Sequence, residues 1–107
     1  TTYYPLNQYR LKMRFVDINL DTLNIDENKI INAITKKTRA IIAVNVLGNP
    51  CNFKKLKEIC KKNNLLLLED NCEALGAKYN DKFCGTHGEV GTFSFYYSHH
   101  INRFNFF

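Results

Sequence analysis

With 107 residues, 45% of them hydrophobic, the chain can build one modest core or part of a larger one. Its formal net charge of +5 would suit a polyanion, yet no nucleic-acid-reading motif accompanies the charge, and no apolar run approaches the roughly 20 residues that span a bilayer. Residues 1–10 are polar and aromatic and do not resemble a secretory leader, so a cytoplasmic protein with no nucleic-acid or membrane partner is expected.

Residues 1–12 show no clear period and read as a loop or incoming connection. Residues 13–18, MRFVDI, read as a short strand, followed by a polar link over 19–24. A helix is predicted from Asp26, which can cap it. Ile30, Ile31, Ala33 and Ile34 form its apolar face, and Lys36, Lys37 and Arg39 suit its carboxyl end. Residues 40–46, AIIAVNV, are β-prone and almost wholly apolar, which predicts a strand buried on both faces and closed by Gly48 and Pro50.

Over 52–63, Lys54, Lys55, Lys57, Lys61 and Lys62 alternate with Phe53, Leu56, Ile59 and Cys60 at helical spacing. The lysines are therefore the wet face of an amphipathic helix rather than a polyanion site. Residues 65–68 read as a second buried strand that stops at Glu69 and Asp70, and 71–77 as a loop or short helix. Residues 78–84 alternate about Asn80 and Asp81 as a hairpin would. After a Gly-punctuated turn containing His87, which is expected to face solvent, 92–97 reads as an aromatic strand ending near Ser98, with His99 and His100 just past it. Strand, helix, strand, helix, strand predicts an α/β fold: a mostly parallel sheet joined by right-handed crossovers and flanked by helices.

Cys51, Cys60, Cys72 and Cys84 form no C-x-x-C pair, so no metal site is expected and free thiols are. Cys72 has no basic activator nearby in sequence, which favours packing over nucleophilic work. Asp70 stands at the carboxyl end of a buried strand, where open α/β sheets bind ligands, although an Asp there can also simply cap a turn. His99 and His100 are expected at that end of the sheet, and histidine is the side chain whose ordinary charge change lies nearest neutrality.

The string LLLLEDNCEALGAKYNDKFCGTHGEVGTFSFYYSHHIN, preceded by FVDINLDTLNID and ITKKTRAIIAVNVLGNPCNF, resembles the DegT/DnrJ/EryC1/StrS family of pyridoxal-phosphate-dependent sugar aminotransferases. The resemblance implies part of the large domain of a fold-type I transferase, with residues 1–107 truncated at both ends and 103–107 a divergent tail. It implies that Asp70 pairs with the cofactor's pyridine nitrogen, that Ser94 binds its phosphate, and that Glu73 stands where the aminotransferases usually have glutamine. The alternatives are a strand-end hydroxyl for Ser94 and a surface acid for Glu73.

His99 falls where the family's aminotransferases carry the Schiff-base lysine, and an imidazole is a general base rather than a Schiff-base former. That substitution resembles the nucleotide-sugar 3-dehydratases, in which pyridoxamine phosphate condenses with a 4-keto-6-deoxy sugar, a histidine removes a proton from the cofactor's methylene carbon, and the C3 hydroxyl leaves. His100 would be a neighbour of the site. The implied partners are a nucleotide-sugar substrate and, for the complete protein, a second copy in a homodimer, with deoxysugars of surface polysaccharide as the product class. A sugar aminotransferase and a non-catalytic binding or structural piece are the alternatives.

Overall fold

The computed structural model describes residues 1–99. In chain order these form helix α1 (Tyr4–Gln8), helix α2 (Glu27–Ala33), strand β1 (Ala40–Val44), a 3-10 turn (Val46–Gly48) and helix α3 (Phe53–Asn63). Strand β2 (Leu66–Asp70), the short strands β3 (Lys78–Tyr79) and β4 (Lys82–Phe83), and strand β5 (Val90–Thr92) follow.

β1, β2 and β5 lie side by side in that order, and both pairings are parallel. Val44 and Thr92 both face Asp70, so the strands end level with one another. α3 is the crossover between β1 and β2. Asn52 caps its start by accepting from the Lys55 N–H at 3.2 Å, and Asn64, at φ 52°, ends it in the left-handed conformation. Phe53, Leu56, Ile59 and Cys60 point inward and the lysines of the helix lie on its outer side, as the periodicity predicts. Each large apolar side chain buried there contributes roughly 1.5–3 kcal/mol. They pack with Ile30 of α2 and with Ile41, Ala43 and Leu67 of the sheet in one core.

α2 is capped as expected, Asp26 accepting from the Asn28 N–H at 3.0 Å, but it ends at Ala33. Lys36, Lys37 and Arg39 lie beyond it, and Arg39 folds back onto the Lys36 and Thr38 carbonyls at 3.0 Å each. The hairpin forms as read: Asn80 and Asp81 adopt φ of 49° and 62°, the left-handed pair that matches the twist of β3 and β4.

Four expectations need correction. Residues 13–18 pair with no strand; the segment makes only an isolated antiparallel bridge, Ile18 to Ile25, and leaves Phe15 75% exposed. α1 adds one exposed helical turn where a loop or connection was expected. β1 buries only Ile41 and Ala43 fully, and Ala40, Ile42 and Val44 on its second face are partly buried, so the strand is not enclosed on both faces. The third strand is Val90–Thr92 rather than 92–97, because β2 ends at Asp70 and leaves nothing beyond Thr92 to pair with.

Candidate active site at the strand ends

Asp70 is the last residue of β2 and is half-buried. Its Oδ1 accepts from the Cys72 backbone N–H at 3.1 Å, and its Oδ2 accepts from the Thr2 hydroxyl at 2.5 Å. Among the described residues it has no cationic side-chain partner.

Side chains alternate along a strand, so Glu69 and Asn71 point to the opposite face and are buried there. Glu69 accepts three backbone N–H groups at 2.6 Å each: Gly85 on Oε2, His87 and Gly88 on Oε1. Asn71 donates from both its backbone N–H (2.9 Å) and its Nδ2 (3.2 Å) to the Thr92 carbonyl. Its Oδ1 accepts from Asn45 Nδ2 at 2.7 Å, and Asn45 in turn accepts from the Cys51 N–H at 2.8 Å. A buried polar network thus ties together the carboxyl ends of all three parallel strands.

Ser94 comes two residues after Thr92, the register partner of Asp70, so both leave the same end of neighbouring strands. Its Oγ accepts from the Tyr96 N–H at 3.1 Å, which leaves the hydroxyl hydrogen available for an anion. Glu73, three residues past Asp70, accepts from the Leu47 N–H at 3.1 Å on Oε2 and so holds the turn after β1. His99 is half-buried in the turn after Ser94. Its backbone N–H donates to the Tyr96 carbonyl at 2.9 Å, and its ring lies 5.5 Å from that of Tyr96. His100 lies outside the described residues, as does the tail 103–107.

His87 corrects an expectation. It is half-buried, its ring stacks on Phe53 at 4.2 Å and 7°, and its Nε2 meets the Lys82 carbonyl at 3.1 Å. The cysteines are free. Burial, helped by the charge of Glu27, pushes the Cys51 thiol up to about 12. Burial and then the neighbouring Asp70 raise that of Cys72, and burial raises those of Cys60 and Cys84. Raised thiols are poor nucleophiles at neutral pH, which agrees with packing roles. Among the described residues no group of three His, Cys, Asp or Glu side chains is placed to hold a metal ion, and no helix is long and apolar enough to cross a membrane. Two open grooves, one lined by Thr35, Lys36, Arg39 and Asn64, the other by Asn24, Glu27, Asn52 and Tyr79, include none of the four candidates.

The sequence did not single out Thr2, Asn45, Glu69 or Asn71. Only Glu69 left a signal: it shares the period-2 face of Leu67, which places it inward. The others depend on contacts between segments that are far apart in the chain.

A parallel sheet flanked by helices, with acidic and hydroxyl side chains at the carboxyl ends of its strands, matches the fold of the pyridoxal-phosphate-dependent transferases. The chain belongs to the DegT/DnrJ/EryC1/StrS aminotransferase family, whose sequence pattern it matches over residues 1–105. It is 54% identical over 101 residues to a GDP-4-keto-6-deoxy-D-mannose 3-dehydratase of Escherichia coli O55:H7, covering 94% of this chain and 26% of that protein. Its identity to the Yersinia pseudotuberculosis enzyme of the same name is 55% over 101 residues, with the same two coverages. The solved structure of the E. coli GDP-4-keto-6-deoxy-D-mannose-3-dehydratase with bound hydrated PLP superposes with a TM-score of 0.88 at 53% identity, covering 94% of this chain and 26% of that one. The chain therefore spans about a quarter of the length of the relatives it matches.

Proposed function

We propose that this segment is the part of a nucleotide-sugar 3-dehydratase that grips the pyridine ring and phosphate of pyridoxal or pyridoxamine phosphate and supplies the base that removes a proton. The observation that carries the reading is His99: in a chain of this family, an imidazole stands where the aminotransferases place a lysine amine. The similarity to 3-dehydratases at 54% and 55% identity supports it.

The residues fit the cofactor chemically. A half-buried carboxylate without a cationic side-chain partner among the described residues, steadied on both oxygens, suits a protonated ring nitrogen, and a strand-end hydroxyl suits a phosphate oxygen. When bound, pyridoxamine phosphate supplies an amine for the sugar's C4 ketone and a charged ring that can accept an electron pair.

Asp70 accepts the ring N–H and keeps that proton in place. Ser94 donates its O–H to the phosphate. Glu73, in the loop after β2 and clamped to the Leu47 amide of the turn after β1, borders the cofactor. His99 would take the proton from the methylene carbon as a general base, and the sugar's C3 hydroxyl would then leave with the electron pair of its C3–O bond. The substrate is a nucleotide-linked 4-keto-6-deoxy sugar, and the complete protein is a cytoplasmic homodimer serving surface-polysaccharide synthesis.

The family name favours an aminotransferase as the second reading, but transamination by the family's route needs an amine at residue 99. In the complete protein that carries this segment, His99→Asn should abolish C3 dehydration while pyridoxamine phosphate still binds. Dehydration at the original rate in that variant would remove His99 from the mechanism.

A further inference from the structure

The hydrogen bond from Thr2 to Asp70 joins residues 68 positions apart and is among the shortest in the molecule, at 2.5 Å between Oγ1 and Oδ2. An ionised carboxylate only accepts, so the Thr2 hydroxyl is the donor. Charge-assisted O–H bonds of this kind are short and roughly twice as strong as neutral ones. With one bond, from the Cys72 N–H to Oδ1, the carboxylate could still turn about Cβ–Cγ. With a second donor on the other oxygen, from a separate stretch of chain, its plane is set.

Each oxygen has two lone pairs, so neither bond uses up the group's capacity for a third donor. Thr2 is itself held: the Tyr4 N–H donates to the Thr1 carbonyl at 3.1 Å and opens α1, so the hydroxyl hangs from a structured turn. It is half-buried, which shields the bond from competing water.

We propose that Thr2 is a positioning residue of the site: by donating to Asp70 Oδ2 it fixes the carboxylate plane, so that a free lone pair is presented to the cofactor's ring nitrogen. The proposal rests on the reading of Asp70 as that nitrogen's partner. A Thr2 that merely ties the amino-terminal segment to the sheet would contribute to stability and leave cofactor affinity untouched.

The test uses the complete protein carrying this segment, stripped of cofactor and titrated at equilibrium with pyridoxal phosphate and with pyridoxamine phosphate, alongside the thermal midpoint of each variant. Thr2→Val keeps the shape and removes the donor; it should weaken binding of both forms roughly tenfold, the effect of one hydrogen bond to a charged group. Thr2→Ser restores the donor and should bind within about twofold of the original. Because Thr2 acts through Asp70, Thr2→Val should add nothing in an Asp70→Ala background, a non-additivity that two independent structural losses would not show. Original affinity in Thr2→Val, failure of Thr2→Ser to restore binding, or simple additivity with Asp70→Ala would each overturn the assignment. If Asp70→Ala itself bound both cofactors normally, the reading of Asp70 would fall, and the role of Thr2 with it.

Discussion

A carboxylate at 2% exposure is tolerated only when both its oxygens are hydrogen-bonded, and Glu69 meets that condition with three backbone N–H groups at 2.6 Å. Those donors belong to Gly85, His87 and Gly88, so one side chain fixes the turn that delivers β5 to the sheet. Glu69→Gln keeps one oxygen for His87 and Gly88 but turns an NH2 group toward the Gly85 N–H, donor against donor. Stability of the complete protein should fall by about 1–3 kcal/mol, the cost of leaving a buried donor unsatisfied. Urea denaturation measures it, and an unchanged midpoint would mean that water or a shifted loop replaces the lost acceptor. The neighbouring residue, Asp70, is legible in sequence because it ends an apolar run, whereas Glu69 is not, because a charged residue at a strand end reads as exposed. Its partners, backbone amides 16 to 19 residues away, carry no sequence signature.

At the scale of elements, what could be read was whatever has a period. α3 announced itself by its lysine face, α2 by its cap, and the β3–β4 hairpin by Asn80 and Asp81. β5 could not be bounded from its own composition. The aromatic run 92–97 is β-prone, but strand length is set by the partner, and β2 stops at Asp70. What the segment does require is close approach. A Cβ on Gly88 would sit 2.3 Å from the Leu67 carbonyl oxygen, and one on Gly91 2.3 Å from that of Gly85. Neither obstacle is a flexible side-chain end. Gly88→Ala should therefore displace the turn from β2, lowering stability by about 1–3 kcal/mol and weakening pyridoxal phosphate binding through Ser94, which follows β5. Calorimetry and a cofactor titration would check both, and a variant with unchanged melting and affinity would contradict this account of the strand's entry.

At the scale of the molecule, the three-stranded sheet and the two helices packed with it leave much apolar surface in water among the described residues. Phe95 is 80% exposed, Phe15 75% and Tyr97 64%, and each outer strand, β1 and β5, has one unpaired edge among the described residues. Such surface and such edges favour association. The 107-residue chain by itself should bind an apolar dye such as anilinonaphthalene sulfonate and melt broadly. A sharp calorimetric transition from a monomer that ignores the dye would show that the core around Phe53 and Leu56 suffices alone.

At this scale too, the site is legible only in outline. Sequence gathers Asp70, Glu73, Ser94 and His99 into one family pattern, and the parallel register explains why Asp70 and Ser94 leave the same sheet end. The supports beneath them, Asn45, Asn71 and Thr2, emerge only once the chain is folded.

Residue 99 is proposed to work as a general base and not as the cofactor's covalent anchor. Borohydride reduction of the complete protein loaded with pyridoxal phosphate, followed by peptide mass analysis, tests it most directly, because only a primary amine can be trapped as a stable secondary amine. No covalent cofactor is expected on the original protein, whereas in His99→Lys cofactor should be fixed at residue 99 and C3 dehydration should fall. Cofactor trapped by reduction on a lysine of the original protein would contradict it.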